Sequence, residues 1–210
     1  MGTDGERAQY ILRPAQRRYL PVKRALDILV SLALLFLLAV PMLAVALIQK
    51  LTGPAGPVIF QQQRVGRNGE LFTMLKFRTM GTVPAGKGTP ERAARLSRFL
   101  RASSIDELPQ LFLVLTGKMS LIGPRPLVPQ EETVHVLRWA AGVYQLRPDI
   151  TGWAQINGRD MVPDEAKAAL DREYLENMRF GLDWKIFWRT IGKVAGRDGV
   201  LDRSERDLRR

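Results

Sequence analysis

The chain of 210 residues has no cysteine and a single histidine. The first absence excludes a disulfide framework, a thiolate metal site and a cysteine nucleophile; the second leaves His-rich metal sites and relays without material. Internal repeats and low-complexity linkers are also absent. Negative charge is scarce: 21 Asp+Glu face 32 Lys+Arg, a net charge of +11. Any chemistry must therefore rest on carboxylates, hydroxyls and cations. The surplus points to a polyanionic partner: nucleic acid, a nucleotide, a phospholipid surface or a phosphorylated substrate.

Charge is missing altogether from Ile28 to Ile48. A run of about 20 apolar residues is what a hydrocarbon core of about 30 Å requires, so the chain meets a membrane. The run is too long and too far from the terminus for a cleaved signal peptide. Pro41 lies inside it and removes a backbone hydrogen bond. Arg13, Arg17, Arg18, Lys23 and Arg24 precede the run, and Lys50, Arg64 and Arg67 follow it. Cations on both flanks mark both ends as cytoplasmic. Two arrangements fit: a lone spanning helix, or a re-entrant helix broken at Pro41 into legs of roughly 24 and 15 Å.

Four segments follow: 1–22, a loosely ordered basic arm; 23–50, the membrane helix; 51–196, a cytoplasmic domain; and 197–210, a charged tail. Residues 1–50 carry +4 of the charge and the remainder +7, so the excess is not confined to the anchor. Beyond the turn cluster at Thr52–Pro57, Val58–Gln63 and Leu71–Thr79 read as strands of a hairpin turned at Asn68-Gly69. Alternation sets Leu71, Leu75 and Phe77 on one face and Met74, Lys76 and Arg78 on the other. Two cations then project side by side, as a solvated face or toward an anion. A flexible loop, Gly81–Pro90, precedes a helix at Arg92–Arg101.

In Ser104-Ile105-Asp106-Glu107-Leu108-Pro109-Gln110, a cap at Ser104 would set Pro109 against the helix, whereas a cap at Asp106 tolerates it. Asp106 and Glu107 are thus expected at a helix N-terminus, a place that suits a capping carboxylate and a phosphate site equally. Arg125 between two prolines, Arg147 before Pro148 and Arg159 after Asn157-Gly158 repeat one pattern, an arginine in a stiff turn. Three such residues suggest preorganised anion donors. The stretch Leu182–Val194 interleaves Trp184, Phe187 and Trp188 with Lys185, Arg189 and Lys193, as an interfacial amphipathic helix or as a core helix with snorkelling cations. His135 reads as structural.

The motifs Lys23–Asp27, Leu75–Met80, Ser104–Gln110, Met119–Pro126 and Arg147–Arg159, in that order, resemble the monotopic phosphoglycosyl transferases among the bacterial sugar transferases. The resemblance runs from about Lys23 to Val194. It implies an α+β, helix-rich monotopic membrane protein: an N-terminal re-entrant helix broken at Pro41, a small β-hairpin and amphipathic interfacial helices. The location it implies is the cytoplasmic leaflet of the bacterial inner membrane, and the reaction is sugar-1-phosphate transfer from a UDP-sugar to polyprenyl (undecaprenyl) phosphate. That reaction opens glycoconjugate or exopolysaccharide synthesis.

By the same resemblance Asp106 is the nucleophile that expels UMP, and Glu107 is the Mg²⁺ ligand. Lys76, Arg78, Arg101, Arg125, Arg159 and Asp183 are the implied substrate contacts. Relatives often carry Ser before the proline where this chain has Val40, and larger ones carry extra spanning helices, so a minimal catalytic form is implied. Membrane lipid is an expected partner and nucleic acid is not. The competing class is a single-span, membrane-anchored basic module that binds anionic lipid or nucleic acid, which has no use for Asp106-Glu107 beside a phosphate site.

Overall fold

Pro14 opens the longest element, helix α1 (Pro14–Thr52). Its ring pre-sets the first helical φ, and the Gln16 side chain accepts from the Arg13 N–H at 2.8 Å, one half of a capping box. The helix stops at Gly53, whose N–H closes on the Gln49 carbonyl at 2.8 Å ahead of Pro54. In a computed structural model residues 10–82, 89–157 and 163–195 are described. Helix starts as early as Pro14, inside the stretch read as a basic arm. It also runs through Pro41 without interruption, a length of about 58 Å at 1.5 Å per residue. Between Leu29 and Leu51 it exposes nine large apolar side chains, Phe36 most of all at 89%.

Both ends of α1 are fastened to the rest of the chain. Near the start, Gln16 donates to the Leu175 and Glu176 carbonyls, Arg24 donates to those of Val114 and Leu115, and Asp27 accepts from Ser120 and Leu121. Near the end, buried Gln49 donates to the Arg78 carbonyl at 3.1 Å.

Strands β1 (Ile59–Val65) and β2 (Leu71–Phe77) form an antiparallel hairpin with Val65 opposite Leu71. The connection is Gly66–Glu70, longer than a two-residue turn, and Asn68 and Gly69 adopt φ of 56° and 78° within it. Gly69 packs on Trp139: a Cβ there would lie 2.6 Å from the indole. Helix α2 (Pro90–Ala102) takes Thr89 as its cap, with Oγ1 accepting from the Arg92 N–H. It is followed by a 3₁₀ turn at Ile105–Glu107 and helix α3 (Gln110–Leu115). Strand β3 (Ser120–Ile122) pairs in parallel with β4 (Asp149–Thr151), with helix α4 (Glu132–Ala140) between them. Helices α5 (Trp153–Asn157), α6 (Asp164–Asn177) and α7 (Phe180–Ala195) complete the order, an α+β arrangement rich in helix.

Two apolar clusters hold these elements. Phe72, Met74, Val114 and Met119 join the hairpin to α3. Ile122, Leu146, Ile156, Tyr174, Leu175, Met178 and Ile186 join β3 to α5–α7. Helix α7 packs as a core helix on one face, where Ile186 is fully buried, while Trp184 and Trp188 remain about half exposed on another.

Candidate active site

The hairpin presents its cation inward. The buried face of β2 carries Phe72 and Met74, so alternation sends Lys76 the same way, toward the protein and not to a solvated surface. Its Nζ donates to Glu107 Oε1 at 2.7 Å. Arg78 does not stand beside it. The strand ends at Phe77, and the Arg78 guanidinium turns back to the Pro57 carbonyl at 2.7 Å and over the Phe60 ring.

Asp106 and Glu107 lie in the 3₁₀ turn, not at the first turn of α3. Pro109 takes the N-cap position of that six-residue helix, because a proline is best accommodated where no helical N–H is needed. Ser104, which could have capped, instead adopts the left-handed region at φ 55°. Asp106 is 7% exposed. Burial, and then the neighbouring Glu107 charge, push its carboxyl up to about 6, against the opposing pull of Lys76 and Arg101. Burial also works to raise Glu107, but Lys76, Arg125 and Arg64 overcome it and hold that carboxyl below its ordinary range. Two adjacent carboxyls are thereby driven apart, one firmly ionised and the other titrating near neutrality.

Arg101, in the last turn of α2, donates to the Thr79 carbonyl at 3.3 Å and contributes its charge to Asp106. Arg125 is held by its backbone. Its carbonyl accepts from Arg138 Nη1 at 2.7 Å, and Arg138 is locked by a buried ion pair with Asp171. The neighbouring Gly123 N–H donates to Asp149 Oδ2 at 3.1 Å, Gln155 Nε2 donates to Asp149 Oδ1 at 2.8 Å, and the Pro124 carbonyl accepts from Asp149 N. Gly152 completes the join, since a Cβ there would fall 1.9 Å from the Gly123 oxygen. Burial raises the Asp149 carboxyl well above its usual range.

A cavity of about 230 Å³ opens beside this loop, lined among others by Arg64, Arg125, Glu131, Arg138, Gln155 and Lys167. Lys76, Arg101, Asp106, Glu107 and Arg125 are thus brought together, by contact or by charge. Asp183 belongs to a different group: it accepts from Tyr19, Lys23 and Tyr174 at 2.7, 2.9 and 2.7 Å, a buried knot that ties α1 to α6 and α7. Arg159 falls outside the described residues, as do 83–88 of the Gly81–Pro90 loop. His135 is structural, its ring nitrogens meeting the Tyr144 hydroxyl and the Val128 carbonyl.

Sequence reasoning missed Arg138, Asp171 and Asp149 as supports and Arg64 as a member of the charged group. A buried ion pair between α4 and α6 leaves no local pattern. Arg64 was visible only as one flanking cation among several.

For Mg²⁺ the donor set fits. Glu107 supplies a hard, ionised oxygen next to a second carboxyl, and Mg²⁺ is commonly held by one or two carboxylates plus substrate phosphates. Among the described residues there is no group of three or more His, Cys, Asp or Glu able to hold a metal, so the protein would supply only part of the shell.

Residues 18–197 match the family described as bacterial sugar transferase. An uncharacterized sugar transferase, EpsL, of Bacillus subtilis is 40% identical over 85% of this chain and 90% of its own length. The undecaprenyl-phosphate glucose phosphotransferase of Komagataeibacter xylinus is 41% identical over 85% of this chain. The UDP-glucose:undecaprenyl-phosphate glucose-1-phosphate transferase of Escherichia coli is 36% identical over 82%. The chain spans 37% and 40% of the length of these last two.

Proposed function

The chain belongs to the bacterial sugar transferase family, and on that premise we propose that it is a phosphoglycosyl transferase moving a sugar-1-phosphate from a UDP-sugar to undecaprenyl phosphate at a membrane. The observation that carries this reading is the buried Asp106 carboxyl beside Glu107, with Lys76, Arg101 and Arg125 around them. At pH 7 a carboxyl that titrates near 6 is mostly ionised yet poorly solvated, the condition of an activated nucleophile.

One Asp106 oxygen attacks the β-phosphorus of the UDP-sugar. A P–O bond forms there, the bond to the α-phosphate oxygen breaks, and UMP leaves with that electron pair. The phosphosugar is then held on the carboxylate. An oxygen of undecaprenyl phosphate attacks the same phosphorus, the bond to Asp106 breaks, and the carboxylate is restored. The diphosphate would repel Asp106 unless its charge were offset, which is the role of Lys76, Arg101 and Arg125. Mg²⁺, held by Glu107 and substrate oxygens, would add further neutralisation of the diphosphate.

We further read α1 as re-entrant, by bending at Pro41 within a continuous helix and not by the break expected there. Its ends are tied to one body, through Gln16–Asp27 on one side and Gln49 on the other, which supports a helix that enters and leaves by one face. Arg and Lys at both flanks agree with a cytoplasmic placement. The exposed Trp184 and Trp188 of α7 suit the headgroup layer.

The test is UMP release from a panel of UDP-sugars by the detergent-held full chain, with and without undecaprenyl phosphate and Mg²⁺. Turnover with at least one donor, lost in Asp106→Asn, is the expected result; full turnover by that variant refutes the nucleophile.

A further inference from the structure

A second cavity, of about 240 Å³, lies where α1 meets β3 and the hairpin turn, lined among others by Lys23, Arg24, Asp27, Arg67, Arg147 and Tyr174. It shares no lining residue with the cavity beside Arg125. Four cations face one carboxylate, and that carboxylate is already engaged: Asp27 accepts from Ser120 Oγ at 2.7 Å and from Leu121 N at 3.1 Å. Lys23 is committed as well, 2.9 Å from Asp183 and 3.9 Å from Asp27.

The arginines are fixed differently. Arg24 donates to the Val114 and Leu115 carbonyls at 2.6 and 2.9 Å, and Arg147 Nε donates to Gly117 at 2.9 Å. These bonds orient both guanidinium groups and leave each with further N–H donors. None of Arg24, Arg67 and Arg147 has a carboxylate within ion-pair distance among the described residues. Burial, followed by the charges of Arg67 and Arg24, weakens the proton affinity of Arg147, with Asp27 opposing. Three guanidinium groups converging in this way need an anion, and oriented arginines suit phosphate oxygens.

The position of the cavity narrows the choice of anion. Its α1 residues, Leu20 to Asp27, directly precede the apolar Ile28–Ile48 run, and Leu20, Pro21, Ile122 and Leu146 supply an apolar wall. That is the depth of lipid headgroups for a helix embedded from Ile28 onward, and basic pockets at this level bind anionic headgroups. We propose that this cavity binds the phosphate headgroup of an anionic phospholipid, apart from the transfer site. The inference rests on the membrane reading above for its depth, and on the residues alone for its charge.

The full chain in mild detergent, probed by native mass spectrometry with phosphatidylglycerol, phosphatidylcholine or undecaprenyl phosphate added separately, tests it. Wild type should retain phosphatidylglycerol over phosphatidylcholine. Arg67→Gln and Arg147→Gln should each lower that retention about fivefold, with UMP release in the same detergent unchanged in Arg67→Gln. Arg67 is exposed in a turn, so its variant folds even where Arg147→Gln does not. Equal retention of the two phospholipids, undiminished retention in both variants, or variants that lose only undecaprenyl phosphate would each overturn the proposal. A wild type that releases no UMP counts against the transferase reading and leaves the lipid readout standing.

Discussion

Asp106 and Glu107 are neighbours with opposite energetics. The folded chain binds a proton on Asp106 more tightly than the unfolded chain does, because the carboxyl is raised from 3.8 to about 6. Stability from this group is full below about pH 4 and is lost as the pH rises through about 6. At pH 7 the ionised group therefore costs up to about 3 kcal/mol, by the rule of about 1.4 kcal/mol per pKa unit. Asp106→Asn should raise Tm at pH 7 while abolishing UMP release, and the gain should shrink at pH 4; differential scanning calorimetry at the two values checks it. Turnover should fall with a one-proton limb near pH 6 on acidification, as the nucleophile protonates. Glu107 contributes the other way, its stability present at neutral pH and lost on acidification. Lys76→Met removes the cation holding Glu107 and should cost at least about 100-fold in kcat, by analogy with the loss of one donor to developing charge. The Asp-Glu pair, Lys76 and Arg125 were legible in the sequence because motif residues stand in sequence order. The partner of Lys76 was not, since Lys76 and Glu107 meet only through the fold.

At the scale of elements, the short parallel pair β3–β4 positions Arg125. Gly152 and Gly123 touch so closely there that Gly152→Ala should destabilise the chain by about 3 kcal/mol or prevent folding, as overpacking against backbone does; a urea unfolding curve checks it. Asp171→Asn leaves Arg138 charged and buried without its partner, at a cost of about 3–5 kcal/mol. The same variant should loosen Arg125 and raise KM for the UDP-sugar, a change that a purely structural role would not bring. The hairpin, α2 and α7 were readable from turn residues and periodicity. Strands of three residues carry no period, so β3–β4 was invisible. The 3₁₀ turn at Ile105–Glu107 was read as a helix start because Pro109 forbids only the helical positions beyond the first turn, and a preceding 3₁₀ turn satisfies it equally well.

Across the whole molecule, cations gather at the flanks of α1, where Arg24 and Arg67 join Arg147 around one cavity, and around Asp106 and Glu107. A chain without cysteine makes the membrane arrangement easy to probe, since any introduced thiol is unique. Single cysteines at Arg17 and Lys50 should both react with an impermeant thiol reagent in inside-out vesicles and resist it in intact spheroplasts. Reaction of only one of them in each preparation would contradict a re-entrant α1. The apolar run made legible a helix long and apolar enough to cross a membrane. That both ends of α1 are tied to the same body was not, because contacts such as Gln16–Leu175 and Gln49–Arg78 span distances that no local pattern records. The covalent step is tested by mixing the full chain with a UDP-sugar donor, without acceptor, and following UMP and the mass of the intact protein. An Asp106 nucleophile gives a burst of up to one UMP per chain and a protein heavier by one phosphosugar, both absent in Asp106→Asn. A burst with no mass gain, or an adduct that survives Asp106→Asn, would contradict it.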